Sequence, residues 1–298
     1  MVLKFIALGD MGSGEKDQYK VAKGIENVIN NLRKKHLKNI SFIVGLGDNI
    51  YECGVNSVID KQFKTKFEKP YKNINKKFYM SLGNHDYSYP DLEPEFQDSP
   101  QHQIDYSNIS KKWVLPNKYY YYSYDIEKGC KVDFFVMDTN IDRMDKKEQD
   151  IQLKYLIDMI NKSTAKWKIL YGHHPWRSVV GHGHADADLE VYFKKIIKGS
   201  KKNTIDLYMC GHDHNKQYIE IQYDKNITIP LIVCGTGGKS DDYPLPKIKN
   251  SDDDDYNIQF LSNTLGFLCV KLFNNHMDLY FFNEKGENVE FKHTIFKK

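Results

Sequence analysis

Apolar positions along the chain fall into two rhythms. Residues 3–8, 40–46 and 78–82 are short, nearly continuous apolar runs of strand length. Between the first two, Val21, Ile25, Val28, Ile29 and Leu32 recur at the three- and four-residue steps of one helix face, and 60–67 carries a weaker version of that pattern. The order strand, helix, strand, helix, strand predicts parallel strands joined by crossover helices. Further on, 119–124 and 132–137 are aromatic and β-branched and predict two strands. A helix follows, with Leu153, Leu156, Ile157 and Ile160 on one face, then a strand over 167–171. Leu189, Phe193, Ile196 and Ile197 mark another helix, with Gly199 as its expected C-cap, before a strand at 205–209. From there the chain reads as strands, at 217–222, 228–234, 266–272, 277–282 and 289–295. A βαβ half beside a β-rich half predicts two sheets packed face to face with helices outside. No internal repeat and no linker rich in Pro, Gly or Ser interrupts the pattern, so residues 1–298 read as a single domain.

Composition narrows the function. Hydrophobic residues make up 40% of the chain, enough for a large core. The net charge is +3, and Arg occurs only at Arg33, Arg143 and Arg177. Base readout favours Arg, and general nucleic-acid binding favours a dense basic face, so no nucleic-acid partner is expected. No apolar run approaches the roughly 18 residues that a membrane-spanning helix needs. Residues 1–8 are too short for a signal peptide and read as the first strand, so the chain is either cytosolic or lacks a removed leader. Cys53, Cys130, Cys210, Cys234 and Cys269 are scattered and odd in number; buried thiols are expected, with at most two disulfides. The acidic tract Asp252 to Asp255 lacks EF-hand spacing and reads as a solvated loop.

Five short motifs close predicted strands: Gly9-Asp10-Met11-Gly12, Gly47-Asp48-Asn49-Ile50-Tyr51, Gly83-Asn84-His85-Asp86, Gly172-His173-His174-Pro175 and Gly211-His212-Asp213-His214. Ligands of open α/β sheets bind outside the carboxyl ends of the strands. These loops therefore deliver Asp10, Asp48, Tyr51, Asn84, His173, His212 and His214 toward one place. Two carboxylates, a phenol, an amide oxygen and three imidazoles serve two metals if one carboxylate bridges. A phenolate and hard oxygen donors favour Fe(III); imidazole and amide oxygen suit a divalent partner, Fe, Zn or Mn. Two such metals can clamp a phosphate during in-line displacement. Each motif alone is an ordinary turn; the force lies in the ordered set.

The set resembles the metallophosphoesterase superfamily, and within it the purple acid phosphatases, most closely the small mammalian-type tartrate-resistant enzymes. The pattern GDxG, GDxxY, GNH(D/E), VxxH and GHxH is matched in order, with Leu170 in place of Val in the fourth motif. Other superfamily members have Asp-x-His in the first motif; here Gly12 stands at that position and Tyr51 supplies the replacement donor. The resemblance runs from Phe5 to about Phe282. It implies a four-layer α/β/β/α sandwich of two packed mixed β-sheets with helices on the outer faces, the calcineurin-like metallophosphoesterase fold. It also implies that Asp10, Tyr51 and His214 bind Fe(III), that Asn84, His173 and His212 bind the divalent metal, and that Asp48 bridges them. His85 and His182 match histidines that contact substrate phosphate and help protonate the leaving group.

The activity so implied is that of an acid phosphatase, hydrolysing phosphate monoesters through a metal-bound hydroxide and releasing inorganic phosphate. The expected state is a monomer, and the implied location is secretory, lysosomal or vacuolar, or extracellular. The chain departs from mammalian relatives in three ways. The segment between Asp138 and the helix near Leu153 is short, so activation by loop cleavage is not expected; the cysteine pair flanking that region is missing; and His174 follows the ligand histidine, either reaching substrate or lying on the surface. Loops 87–112, 177–188 and 239–262 are expected to line the cleft. Sequons at Asn108, Asn161 and Asn226 permit glycosylation. Two other readings stay open: a metal-free relative acting as scaffold or anchor, and a phosphodiesterase or nucleotide hydrolase on the same scaffold.

Overall fold

In the computed structural model, residues 2–37, 39–87, 96–200, 204–251 and 254–297 are described. The first half follows the predicted alternation. Strand β1 (Leu3–Leu8) leads to helix α1 (Lys16–Lys34), β2 (Phe42–Leu46), the short helix α2 (Lys61–Phe63) with a π-helical turn at Lys64–Glu68, and β3 (Phe78–Ser81). Next come α3 (Ser99–Tyr106) and β4 (Trp113–Val114), then β5 (Tyr120–Glu127), β6 (Cys130–Val136), α4 (Lys146–Lys162), β7 (Trp167–Tyr171), α5 (Ala187–Gly199) and β8 (Leu207–Cys210). The rest is β9 (Lys216–Gln222), β10 (Thr228–Cys234), β11 (Tyr256–Ser262), β12 (Gly266–Leu272), β13 (His276–Asn283) and β14 (Val289–Phe296).

These strands form two 7-stranded mixed sheets, ordered β14-β13-β12-β1-β2-β3-β4 and β11-β9-β10-β8-β7-β6-β5. Strands β1, β2 and β3 are mutually parallel, as are β6, β7, β8 and β10. Their residues are buried almost without interruption, as expected of strands covered on both faces. Aromatic rings join the sheets. The Phe134 ring meets Phe5 and Phe42 edge-on at 5.3 and 5.4 Å and stacks on Tyr122 at 4.9 Å. Helices α4 and α5 cover the outer face of the second sheet, where Leu156, Ile160, Phe193 and Ile196 pack with Phe135, Leu170 and Tyr208. Helix α1 lies on the first sheet through Val21, Ile25 and Val28.

Helix starts follow local chemistry. Asp145 and Glu148 form a reciprocal capping box at α4, and the Asp186 carboxylate accepts from Leu189 N at α5. Gly199 is the last residue of α5, and Ser200 caps it; the Ser200 hydroxyl and amide both reach the carbonyl of Ile196. The expected helix over 60–67 is broken into α2 and the π turn. The loops expected at 87–112 and 239–262 contain α3 and β11, which sequence periodicity did not mark. Asp255 is held by Arg177, with Nε to Oδ1 at 2.8 Å, so it is no freely solvated acid; Asp252 and Asp253 lie outside the described residues. None of the five cysteines forms a disulfide. Of the sequons, Asn161 donates its amide to Gly199 O at 2.9 Å, while Asn108 and Asn226 are exposed. No helix among the described residues is long and apolar enough to cross a membrane.

Candidate metal centre

The carboxyl ends of β1, β2, β3, β7 and β8 meet where the two sheets touch. Gly9 N donates to Cys234 O across the sheets at 2.8 Å, and Gly237 N donates back to Gly9 O at 3.0 Å. The backbone turns there are tight. Gly47 has φ +85°, and a Cβ on it would lie 2.4 Å from His173 Nδ1. The loop after β2 lies directly on the loop after β1: Gly12 N donates to Asp48 O at 3.2 Å and Tyr51 N to Gly12 O at 3.1 Å. A Cβ on Gly12 would sit 2.0 Å from Asn49 O. The backbone that brings Tyr51 inward therefore excludes a side chain at position 12.

All seven expected donors come together, in two groups. Tyr51 Oη lies 2.9 Å from Asp10 Oδ1 and 3.2 Å from His214 Nε2. Asn84 Oδ1 lies 3.0 Å from both His173 Nε2 and His212 Nδ1, which are 3.2 Å from each other. Asp48 stands between the groups, with Oδ1 3.3 Å from His173 Nε2 and ligand atoms of Asp10, Asp48 and His173 all within 4.8 Å of one another. Asp10, Asp48 and His173 are buried.

The donor chemistry fits metal ions. His173 Nδ1 faces Leu46 O at 2.8 Å and His214 Nδ1 faces Asp241 Oδ1 at 3.1 Å. A carbonyl and a carboxylate only accept, so both Nδ1 atoms carry a proton and both Nε2 atoms point into the cluster. There His173 Nε2 meets an amide oxygen, a carboxylate oxygen and another imidazole nitrogen. Such a gathering of acceptors needs positive charge at its centre.

Electrostatics agree. Burial disfavours charge on His173, yet Asp48 outweighs it and raises the imidazole to about 10. Burial likewise opposes charge on His214, but Asp10 and Asp241 lift it to about 9. Burial works to raise the Asp48 carboxyl, and His173 and His85 hold it well below the usual range. Burial, then Asp10 and Asp48, push the Tyr51 phenol far up, so a tyrosinate here requires a cation beside it. Metal entering at both Nε2 atoms must displace protons held at neutral pH. Loading is thus expected to release protons, and apparent affinity to rise with pH until the pH passes those values. Calorimetric titration in two buffers of different ionisation heat checks this; heats independent of buffer would contradict it.

Two further histidines flank the cluster. The His85 ring lies 4.5 Å from the Tyr51 ring, with Nδ1 2.6 Å from Glu52 O. The His182 ring lies 4.2 Å from that of His212, and its side chain is 63% exposed. Asp213, fully buried, accepts from His182 N at 2.7 Å and faces His182 Nδ1 at 3.1 Å; this bond raises the imidazole. His174 is turned into the site rather than outward: its ring is 4.3 Å from His212, Nδ1 is 2.7 Å from Thr139 Oγ1, and burial with His173 lowers it to about 3.

Sequence reasoning missed the supporting residues. Asp86 accepts from Gly83 N, Asn49 N and Ile50 N at 2.8, 3.0 and 3.2 Å, tying the second and third motif loops together; burial, then Asp48, raise it to about 7. Asp86 and Asp213 lay inside the quoted motifs, but a motif announces its ligands, not their supports. Asp241, after β10, has no local signal.

The chain is similar to several known proteins. Human tartrate-resistant acid phosphatase type 5 is 27% identical over 257 residues, covering 80% of this chain and 74% of its own. Purple acid phosphatase 4 of Arabidopsis thaliana is 26% identical over 302 residues, covering 96% and 82%. Among solved structures, GAP50, described as the anchor in the inner membrane complex of Plasmodium, superimposes with a TM-score of 0.77 at 25% identity, covering 100% of this chain and 89% of that one. The family profile named calcineurin-like phosphoesterase matches residues 3–216. Because that match starts with β1 and runs past His214, taking in every one of the five motif loops, the chain belongs to the calcineurin-like phosphoesterase family.

Proposed function

We propose that this chain is an acid phosphatase of the purple type, hydrolysing phosphate monoesters at a binuclear centre of Fe(III) and a divalent Fe, Zn or Mn. The observation that carries the reading is the exchange at the first two motifs. Gly12 leaves no room for a histidine, and the loop lying on it delivers the Tyr51 phenol between Asp10 and His214. Asp10, Tyr51 and His214 are then the ferric ligands, Asn84, His173 and His212 the divalent set, and Asp48 the bridge. Metals held there would activate a water at acidic pH and neutralise charge on phosphate. His85 and His182, at the rim, face an incoming ester. His182 Nδ1 is engaged by Asp213, which leaves Nε2–H of the imidazolium to protonate the departing alkoxide. We read residues 1–298 as one catalytic domain, since the aromatic core is shared by both sheets.

The test is the visible spectrum of the iron-reconstituted protein. A broad band, lost in Tyr51→Phe, is the expected result, together with faster turnover of monoesters than diesters. Bound metal without the band would point to a differently metallated esterase. The likeness to GAP50 favours a second reading, an anchor that keeps the fold without turnover. Protein that binds no metal after reconstitution would select it.

A further inference from the structure

Lys239 follows the glycine-rich turn after β10 and crosses to the loop after β2. Its Nζ lies 3.7 Å from the centroid of the Tyr51 ring and 3.0 Å from Glu52 Oε1. Tyr51 is 1% exposed, so the ammonium rests on a ring shielded from water. A cation over an aromatic face is attracted by the π electrons, more so when desolvated. A phenolate spreads its added charge over the same ring, so the attraction is larger for the ionised form. Sitting on the ring, the ammonium lowers the energy of the phenolate's outermost electrons. Glu52, whose side chain is 66% exposed, partly offsets that charge from outside.

We propose that Lys239 is an electronic tuning residue for Tyr51: its ammonium stabilises the tyrosinate through the ring face and sets the energy at which that tyrosinate donates to iron, with Glu52 as the opposing control. The inference rests on the tyrosinate–iron reading above. Light absorption in such a centre moves an electron from phenolate to Fe(III). Stabilising the phenolate widens the gap, and removing the cation narrows it. Nothing in the sequence motifs assigns this role, because the lysine comes from a loop 188 residues after the tyrosine it covers, as the 187-residue separation from Glu52 reflects.

The experiment compares iron-loaded wild type with Lys239→Met, Lys239→Arg and Glu52→Gln. Methionine keeps apolar cover over the ring and removes the charge; the band is expected to move to longer wavelength by on the order of 10 nm, from the usual strength of a cation on an aromatic face. Lys239→Arg should stay near wild type, and Glu52→Gln should move the opposite way, to shorter wavelength. A residue that only packs would not produce shifts of opposite sign. A wild-type band that stays in place in both Lys239→Met and Glu52→Gln, with iron bound, overturns the tuning role and leaves the tyrosinate reading intact. A wild type that binds iron and shows no band overturns both.

Discussion

On the proposed binuclear reading, replacing Asp48 with asparagine is expected to lower phosphatase turnover by about 10^3-fold and to reduce metal content from two ions per chain. The substitution is clean for the backbone. Asp48 has φ +52°, a conformation that asparagine tolerates better than most residues. What changes is charge. Asp48 Oδ1 is the carboxylate oxygen nearest His173 Nε2, and it also accepts from His85 N at 3.0 Å. An amide there cannot bridge two cations as a carboxylate does. It also leaves the protonated, buried His173 without its main counter-charge. Metal analysis and steady-state kinetics on the same preparation check the prediction. Two tightly bound ions with unchanged turnover would remove Asp48 from the bridging position.

Asp86→Ala is expected to destabilise the metal-free protein by about 4 kcal/mol, since three backbone N–H groups would lose their acceptor in a buried place. Those groups belong to Asn49, Ile50 and Gly83, and Gln103 Nε2 also donates to the same carboxylate at 3.2 Å. Chemical denaturation in the presence of a chelator isolates the folding effect from metal loss. A change below about 1 kcal/mol would show that water or neighbouring groups replace the carboxylate fully. With metal present the same variant should also lose affinity, because it releases the loops that carry both Asp48 and Asn84.

Much of this was readable in the chain itself, for a physical reason. Buried strands such as β1 and β2 demand nearly unbroken apolar runs, and amphipathic helices such as α1 and α4 demand their own period. The ordered motifs then pointed to seven residues that the fold brings together, because metal chemistry restricts residue types. The residues that escaped belong to elements whose stability comes from tertiary contact. Helix α3 is short, and its place depends on Trp113 Nε1 donating to Gln103 O at 3.0 Å. Strand β11 pairs with β9 at a sheet edge, where alternation is weak and a register shift falls between Ile258 and Phe260. Asp241 and Lys239 act on His214 and Tyr51 across long stretches of sequence, and a single acid or lysine in a polar loop carries no local mark of that.

Three of the seven proposed donors stand on left-handed backbone: Asp10, Asp48 and His212, with φ of 57°, 52° and 70°. Each holds a conformation that costs an L-residue about 1 kcal/mol and that glycine adopts freely. One substitution to glycine at any of them would therefore relieve the local backbone and delete a donor together, while also removing the side chain's own contacts, such as that of Asp48 with His173. Selection for robustness and selection for turnover pull these positions in opposite directions. A lineage released from hydrolysis would gain backbone relief at each donor it shed, set against the lost side-chain contacts, and would end as a platform valued for its outer surface.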